Sequence, residues 1–396
     1  MEKKKIELRL LCWQGYKKFK EQYGKKLEDD LNIKLYITEG KNPDIIYQAF
    51  VSRQGEFDIV IVDYEYRNLY KDVLSKLDDR IVKPSQYIKP FDDGIYYCIE
   101  NKQCLVPIRF GTNGFVYRIK EDSEYNRNHF NVSLLNTLEE LASREKEIQK
   151  MAIWNWWLPN MMLLARAAGF NALENITEKQ LRELDNGIIR LFIRCFDNQK
   201  KYFRRIPSKF KSLKEIIEYE IHSSGSETKK MDWILGPSEM VVAPICSFQR
   251  TNSVKESLNW DIPKEGGLIW LEAAAIWKDI QPKEKFNAAL ALLKFLQSEE
   301  VQLFLICGAK NPGEIKIPTG HWSYAMNNKD GMERVPDSIK MHFHNRSLEK
   351  NAEEFSKWVS QNLDNGQLTL RALPVDDRMR GLWKECWNRV MVQCLA

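Results

Sequence analysis

The chain has 396 residues, of which 43% are hydrophobic and 29% charged, and its formal net charge is +5. That length exceeds one ordinary core and points to two domains, and the composition is that of a globular protein needing no disulfide or metal staple. So mild a charge gives no ground for a nucleic-acid partner, and no apolar run reaches the roughly 18 residues of a membrane span, so no direct membrane insertion is expected.

Met1-Glu-Lys-Lys-Lys5 runs straight into Ile6–Cys12, where apolar positions alternate with Glu7 and Arg9. This pattern predicts a first β-strand and not the apolar core of a signal peptide. A periplasmic or extracytoplasmic location is therefore expected if a signal was removed, with a cytoplasmic one left open. An amphipathic helix over Lys17–Leu31 follows, then a strand Ile33–Ile37 and a helix over Pro43–Ser52. Phe57–Val62 is almost continuously apolar and β-branched, the mark of a strand buried on both faces. A strand Gln103–Ile108 leads into Gly111-Thr-Asn-Gly114 and then Phe115–Tyr117. Helices are expected at Thr137–Lys150, Met161–Ala168, Glu178–Arg194 and Leu213–His222. The densest basic stretch, Lys200–Lys214, reads as a solvated face. Gly267–Leu271 predicts a strand, and Lys283–Leu305 a two-part helix with Phe286, Leu290, Leu293 and Leu296 on one face. A last helix carries Leu382, Trp383, Trp387, Val390 and Met391 at helical spacing. The chain builds an α/β unit, leaves it and returns, which suggests two lobes joined by more than one crossing and able to close by a hinge.

The eight cysteines stand singly, with no C-x-x-C, and the five histidines form no zinc-like spacing, so neither a metal nor a cofactor is expected. No nucleophile elbow, H-E-x-x-H, P-loop or dinucleotide fingerprint occurs, and no catalytic residue is assigned.

Four segments carry a resemblance. They are Leu11-Cys-Trp-Gln-Gly-Tyr16, Phe57-Asp-Ile-Val-Ile-Val-Asp-Tyr-Glu-Tyr66, Val106-Pro-Ile-Arg-Phe-Gly-Thr-Asn-Gly-Phe-Val-Tyr117, and Trp260-Asp-Ile-Pro-Lys-Glu-Gly-Gly-Leu-Ile-Trp-Leu-Glu-Ala-Ala-Ala-Ile276 with Ala288–Leu296 after it. In order and spacing they resemble the type II periplasmic solute-binding proteins of ABC importers, in particular the spermidine/putrescine-binding group. The resemblance implies an α/β, two-lobed fold, each lobe a mixed or parallel sheet flanked by helices. Lobe 1 would comprise residues 1–116 and 268–322, lobe 2 residues 117–267 and 323–396, with the ligand cleft between them.

Carried over position by position, the resemblance places Trp13, Gln14, Asp63, Glu65, Trp270 and Glu272 at the cleft. The family's second-lobe carboxylate pair falls on Trp156 and Pro159, and its second-lobe tryptophan on Ala243, so one half of the usual polyamine clamp is missing. Tryptophan faces and carboxylates attract an ammonium group by cation–π and charge-assisted hydrogen bonds. Asp63 has an alternative reading as a helix N-cap, Glu65 as a solvated first-turn acid, and the tryptophans as packing. Glu272 lies in an apolar run and needs a partner, a ligand or a basic residue. Trp156 is read as a cleft residue that shifts selectivity toward a monocation with an apolar body.

The implied function is non-enzymatic capture of a small cationic or amine-bearing solute by a monomer, for delivery to an ABC permease. The alternatives are a ligand-sensing domain of the same fold and a binder of a non-cationic solute, for which Arg109 leaves an opening. The related enzymatic use of the fold, in thiaminase I, would need a reactive cleft cysteine, and Cys12 or Cys246 are the positions to inspect.

Overall fold

The computed structural model describes residues 4–13, 16–77, 93–119, 133–143, 151–153, 157–171, 175–198, 204–205, 233–237, 257–298, 360–374 and 376–395, with positions 81, 87, 91, 300, 301 and 304. The N-terminal unit begins with β1 (Ile6–Cys12), α1 (Tyr16–Asp30), β2 (Ile33–Glu39), α2 (Pro43–Ser52) and β3 (Ile59–Asp63). On α1, Tyr16, Phe19, Tyr23 and Leu27 recur at helical spacing and are the buried positions. Asn42 caps α2 by accepting from the Ile45 N–H at 2.9 Å, and Pro43 takes the first helical position. Every residue of β3 is buried, as its unbroken apolar run predicts.

The next elements are β4 (Val106–Ile119), α3 (Leu134–Ser143), β5 (Met151–Ile153), α4 (Trp157–Ala167), α5 (Glu178–Leu184), α6 (Arg190–Asn198), β6 (Arg204–Arg205), β7 (Trp233–Pro237) and β8 (Ser257–Asp261). They are followed by β9 (Gly267–Ile276), α7 (Lys283–Leu296), β10 (Leu368–Leu370) and α8 (Asp377–Leu395). The strands form one mixed sheet in the order β2-β1-β3-β9-β4-β7-β5-β6, with β8 also on β4 and β10 on β9. β1 is parallel to both β2 and β3, while β9 runs antiparallel to β3 and β4. β4 pairs with β9 up to Asn113 and with β7 from Asn113 to Tyr117, so this strand carries the sheet from the first α/β unit into the second.

Three expectations need correction. Gln103 does not open the strand at Val106; it belongs to a two-residue hairpin with Cys98–Ile99. The strand does not end at Ile108 but runs on to Ile119 through Gly111–Gly114, because ladders on both sides hold this stretch extended and override the low strand propensity of glycine. The helix beginning at Glu178 is interrupted by a π turn, Asp185–Ile189, where Asp185 receives Cys386 Sγ and Arg389 Nη2 at 3.3 and 3.1 Å from α8. The predicted helix Leu213–His222 lies outside the described residues, as do positions 299, 302, 303 and 305 of the stretch Lys283–Leu305.

Helices pack against the sheet, α1 on β2, α7 on β1 and α4 on β9. Phe295 of α7 meets Phe19 and Tyr23 of α1 at ring separations of 6.2 and 5.5 Å. α8 lies against α4 and α6 and buries Trp383, Trp387 and Val390.

Candidate ligand site

β3 ends at Asp63 and passes at once into a 3-10 turn, Tyr64–Tyr70, so Asp63 and Glu65 stand at the carboxyl end of a strand buried within the sheet. Open α/β sheets bind ligands at such ends. β9 places Glu272 opposite Asp63 on one side and opposite Arg109 of β4 on the other. The ladder shifts after that point, for Ala273 opposes Pro107 and leaves Ile108 as the extra residue of a bulge. Pro107, which has no N–H to give, thus sits at an irregularity, and the bulge borders the charged cluster.

Arg109 donates from Nε and Nη2 to the two oxygens of Glu272 at 2.6 and 2.8 Å. Tyr16 Oη donates to Glu272 Oε2 at 3.4 Å, and the Arg109 guanidinium lies 5.2 Å from the Tyr16 ring centre. Trp13 Nε1 donates to Asp63 Oδ2. Arg371, just beyond β10 and 1% exposed, brings Nη2 within 2.8 Å of Glu65 Oε1 and 3.6 Å of Asp63 Oδ1. Neither Glu65 oxygen has an aligned hydrogen-bond donor among the described residues, although Arg371 and the Glu65 backbone N–H lie close enough to favour its anion.

Three buried carboxylates, Asp63, Glu65 and Glu272, therefore face two buried guanidinium groups, Arg109 and Arg371. Among the described residues, full ionisation leaves one negative charge in excess. Burial, and then the nearby Glu65 and Glu272, push the Asp63 carboxyl well above the usual carboxylate range. Burial also raises Glu65, with Arg371 pulling the other way. Burial disfavours Arg109 as a cation, but Glu272, Tyr16 and Asp63 together outweigh this and raise it.

Of the residues predicted for the site, Trp13, Asp63, Glu65 and Glu272 are brought together by these contacts and registers. Trp270, 6% exposed, lies two residues before Glu272 on the same face of β9. Gln14 and Trp156 lie outside the described residues. The partner that Glu272 required is Arg109. Tyr16, Arg109 and Arg371 were not in the predicted site; a signal for the two arginines exists, since each is a cation in an apolar setting, Pro-Ile-Arg-Phe and Leu-Arg-Ala-Leu. Cys12 is buried, its Sγ 3.8 Å from the Thr38 carbonyl, and burial followed by Glu39 and Glu272 keeps its thiol protonated. Cys246 lies outside the described residues. Among the described residues no group of three potential ligands gathers for a metal, and no helix is long and apolar enough to cross a membrane.

A mixed sheet crossed by β4 and β9, with a polar cluster where those strands meet β3, defines a type II periplasmic-binding-protein fold, and comparison with solved structures shows the same. The spermidine/putrescine ABC transporter substrate-binding protein of Streptococcus pneumoniae aligns over 98% of this chain and 99% of its own, with a TM-score of 0.62 and 15% identity. A putative spermidine/putrescine ABC transporter from Listeria monocytogenes gives 0.64 at 14% identity, covering 98% and 99% of the two chains. Thiaminase I from Bacillus thiaminolyticus gives 0.65 at 12% identity over 99% and 100%. No protein-family model matches the chain, and no curated protein matches it by sequence.

Proposed function

We propose that the chain is a non-enzymatic substrate-binding protein that captures a small cationic or amine-bearing solute, a polyamine-like or other ammonium compound, and hands it to an ABC permease. The observation that carries this reading is the Glu65 carboxylate, 3% exposed and lacking any aligned donor among the described residues, in a cluster with one carboxylate more than its arginines balance. Leaving a buried carboxylate oxygen without a donor is costly. In the empty site a proton held on Asp63 relieves the excess charge. An ammonium ligand replaces that proton, donates to Glu65, and lies against Trp13 and Trp270. One positive charge suffices, so a second amine end of a long polyamine needs an anchor elsewhere, and Trp156 is the position we assign to the ligand's apolar body. Gln14 would border the same ligand.

The lobes proposed for closure are 1–116 with 268–322 and 117–267 with 323–396; their approach would desolvate the ligand and create the surface a permease reads. The protein would act as an extracytoplasmic monomer. Titration calorimetry with putrescine, spermidine, choline and glucose, repeated in buffers of different ionisation enthalpy, tests the proposal. Saturable binding of an ammonium compound with proton release, lost in Asp63→Asn together with Glu65→Gln, is the expected result. Binding of glucose but of no ammonium compound, or ammonium binding that survives the double substitution, would sink it.

A further inference from the structure

A second polar cavity, of about 860 Å³, is lined by Arg166, Asp93, Tyr96, Asn171, Asp364 and Gln367, among others. None of the predicted site residues that are described, Trp13, Asp63, Glu65, Trp270 and Glu272, lines it. Arg166, near the end of α4, is 4% exposed, and its partners are all neutral. Nη1 donates to Asn171 Oδ1 and Thr369 Oγ1, both at 3.1 Å, and Nη2 donates to the Gly366 carbonyl. A guanidinium has five N–H donors. Those three bonds leave the Nε–H, which has no partner, and one Nη2–H.

The backbone is shaped around this group. Gly266 has φ +113°, and a Cβ there would fall 1.8 Å from Arg166 Nη2. A buried cation without a counter-ion is costly, so one is expected to arrive from outside. Two of the neighbouring acids have partners already, and Asp364 stands exposed at the rim. Glu265 accepts from the Leu134 and Leu135 N–H groups at 3.0 and 3.2 Å, and Asp93 accepts from Ile95 N–H at 3.0 Å. Gln367 Oε1 is a buried acceptor that lacks a donor, complementary to the free donors of Arg166.

We propose that this cavity is a second ligand site, for a small zwitterion of amino-acid type. Its carboxylate meets the Nε–H and Nη2–H of Arg166, its ammonium donates to Gln367 Oε1, and the exposed Asp93 and Asp364 hold positive charge at the rim. The inference does not depend on the cation-capture reading of the other cluster.

Calorimetric titration of the full chain carrying Asp63→Asn and Glu65→Gln, which silence the other cluster, with β-alanine, propionate and propylamine tests it. β-Alanine is expected to bind saturably, the two single-charge probes about tenfold or more weakly. Arg166→Gln, added to that background, abolishes β-alanine binding, which assigns the signal to this cavity and not to the other cluster. Should Arg166→Gln fail to fold, Gln367→Leu, at a partly exposed position, still weakens β-alanine about tenfold. No saturable response to β-alanine, equal affinity for propionate, or undiminished binding in Gln367→Leu overturns the proposal.

Discussion

Removing one partner of the Arg109–Glu272 pair strands the other inside the protein. Glu272→Gln is therefore expected to lower stability by about 3–5 kcal/mol, measured as a fall in the denaturant midpoint at unchanged slope. Asp63 works in the opposite sense. Its folded-state carboxyl titrates above its unfolded value, so the folded chain binds the extra proton. The contribution of Asp63 to stability is then fully present below the ordinary carboxylate range and is lost as pH rises through the raised folded value. Asp63→Asn keeps the shape and removes the penalty. It is expected to stabilise the ligand-free protein by on the order of 1 kcal/mol at neutral pH and to flatten the stability–pH curve, while reducing ammonium binding. A variant that loses stability as pH rises just as the parent does would contradict this account. Glu272 was legible as a residue in need of a partner, because a carboxylate in Trp-Leu-Glu-Ala-Ala has no local way to stay hydrated. Which residue answers it was not legible, since Arg109 lies 163 positions away and meets it only through strand register.

At the scale of elements, β1, β3 and α2 could be read directly because their apolar periods and caps are local properties. β4 could not, since its glycines are held extended by ladders to β9 and β7 that are remote in sequence. Two local devices predict measurable costs. Asn42→Ala removes the α2 cap and should cost about 1 kcal/mol in thermal or chemical denaturation. Gly266→Ala must both adopt a left-handed backbone and displace a buried guanidinium, so a loss of at least about 2 kcal/mol is expected by the same measurement.

At the scale of the molecule, the chain connects its first α/β unit to its C-terminal helix by a polar contact. Lys384 of α8 reaches Asp44 at the start of α2 at 2.8 Å and lies 5.2 Å from the Trp157 ring centre, while Tyr66 Oη donates to the same Asp44 at 3.1 Å. This pair is partly exposed, so its direct stability contribution is under about 1 kcal/mol. If closure brings α8 and α2 together, Lys384→Ala should weaken solute binding several-fold while barely changing the unfolding midpoint, a split that calorimetry and denaturation together resolve. Solute present at about 100 times its dissociation constant should add about 2.7 kcal/mol to the unfolding free energy.

By itself, the sequence determined that this is an α/β chain with a strand–helix unit at its start, apolar strands buried on both faces, and acids and tryptophans at the turns that follow them. These follow from periodicity, capping and the cost of burying charge, all of which act over a few residues. Only the tertiary structure decided that Arg109 and Arg371 neutralise most of the acidic cluster, and that Arg166 is left with neutral partners beside a cavity. Charge balance in a low-dielectric interior depends on which side chains meet in space, and distant strands settle that only when they pair.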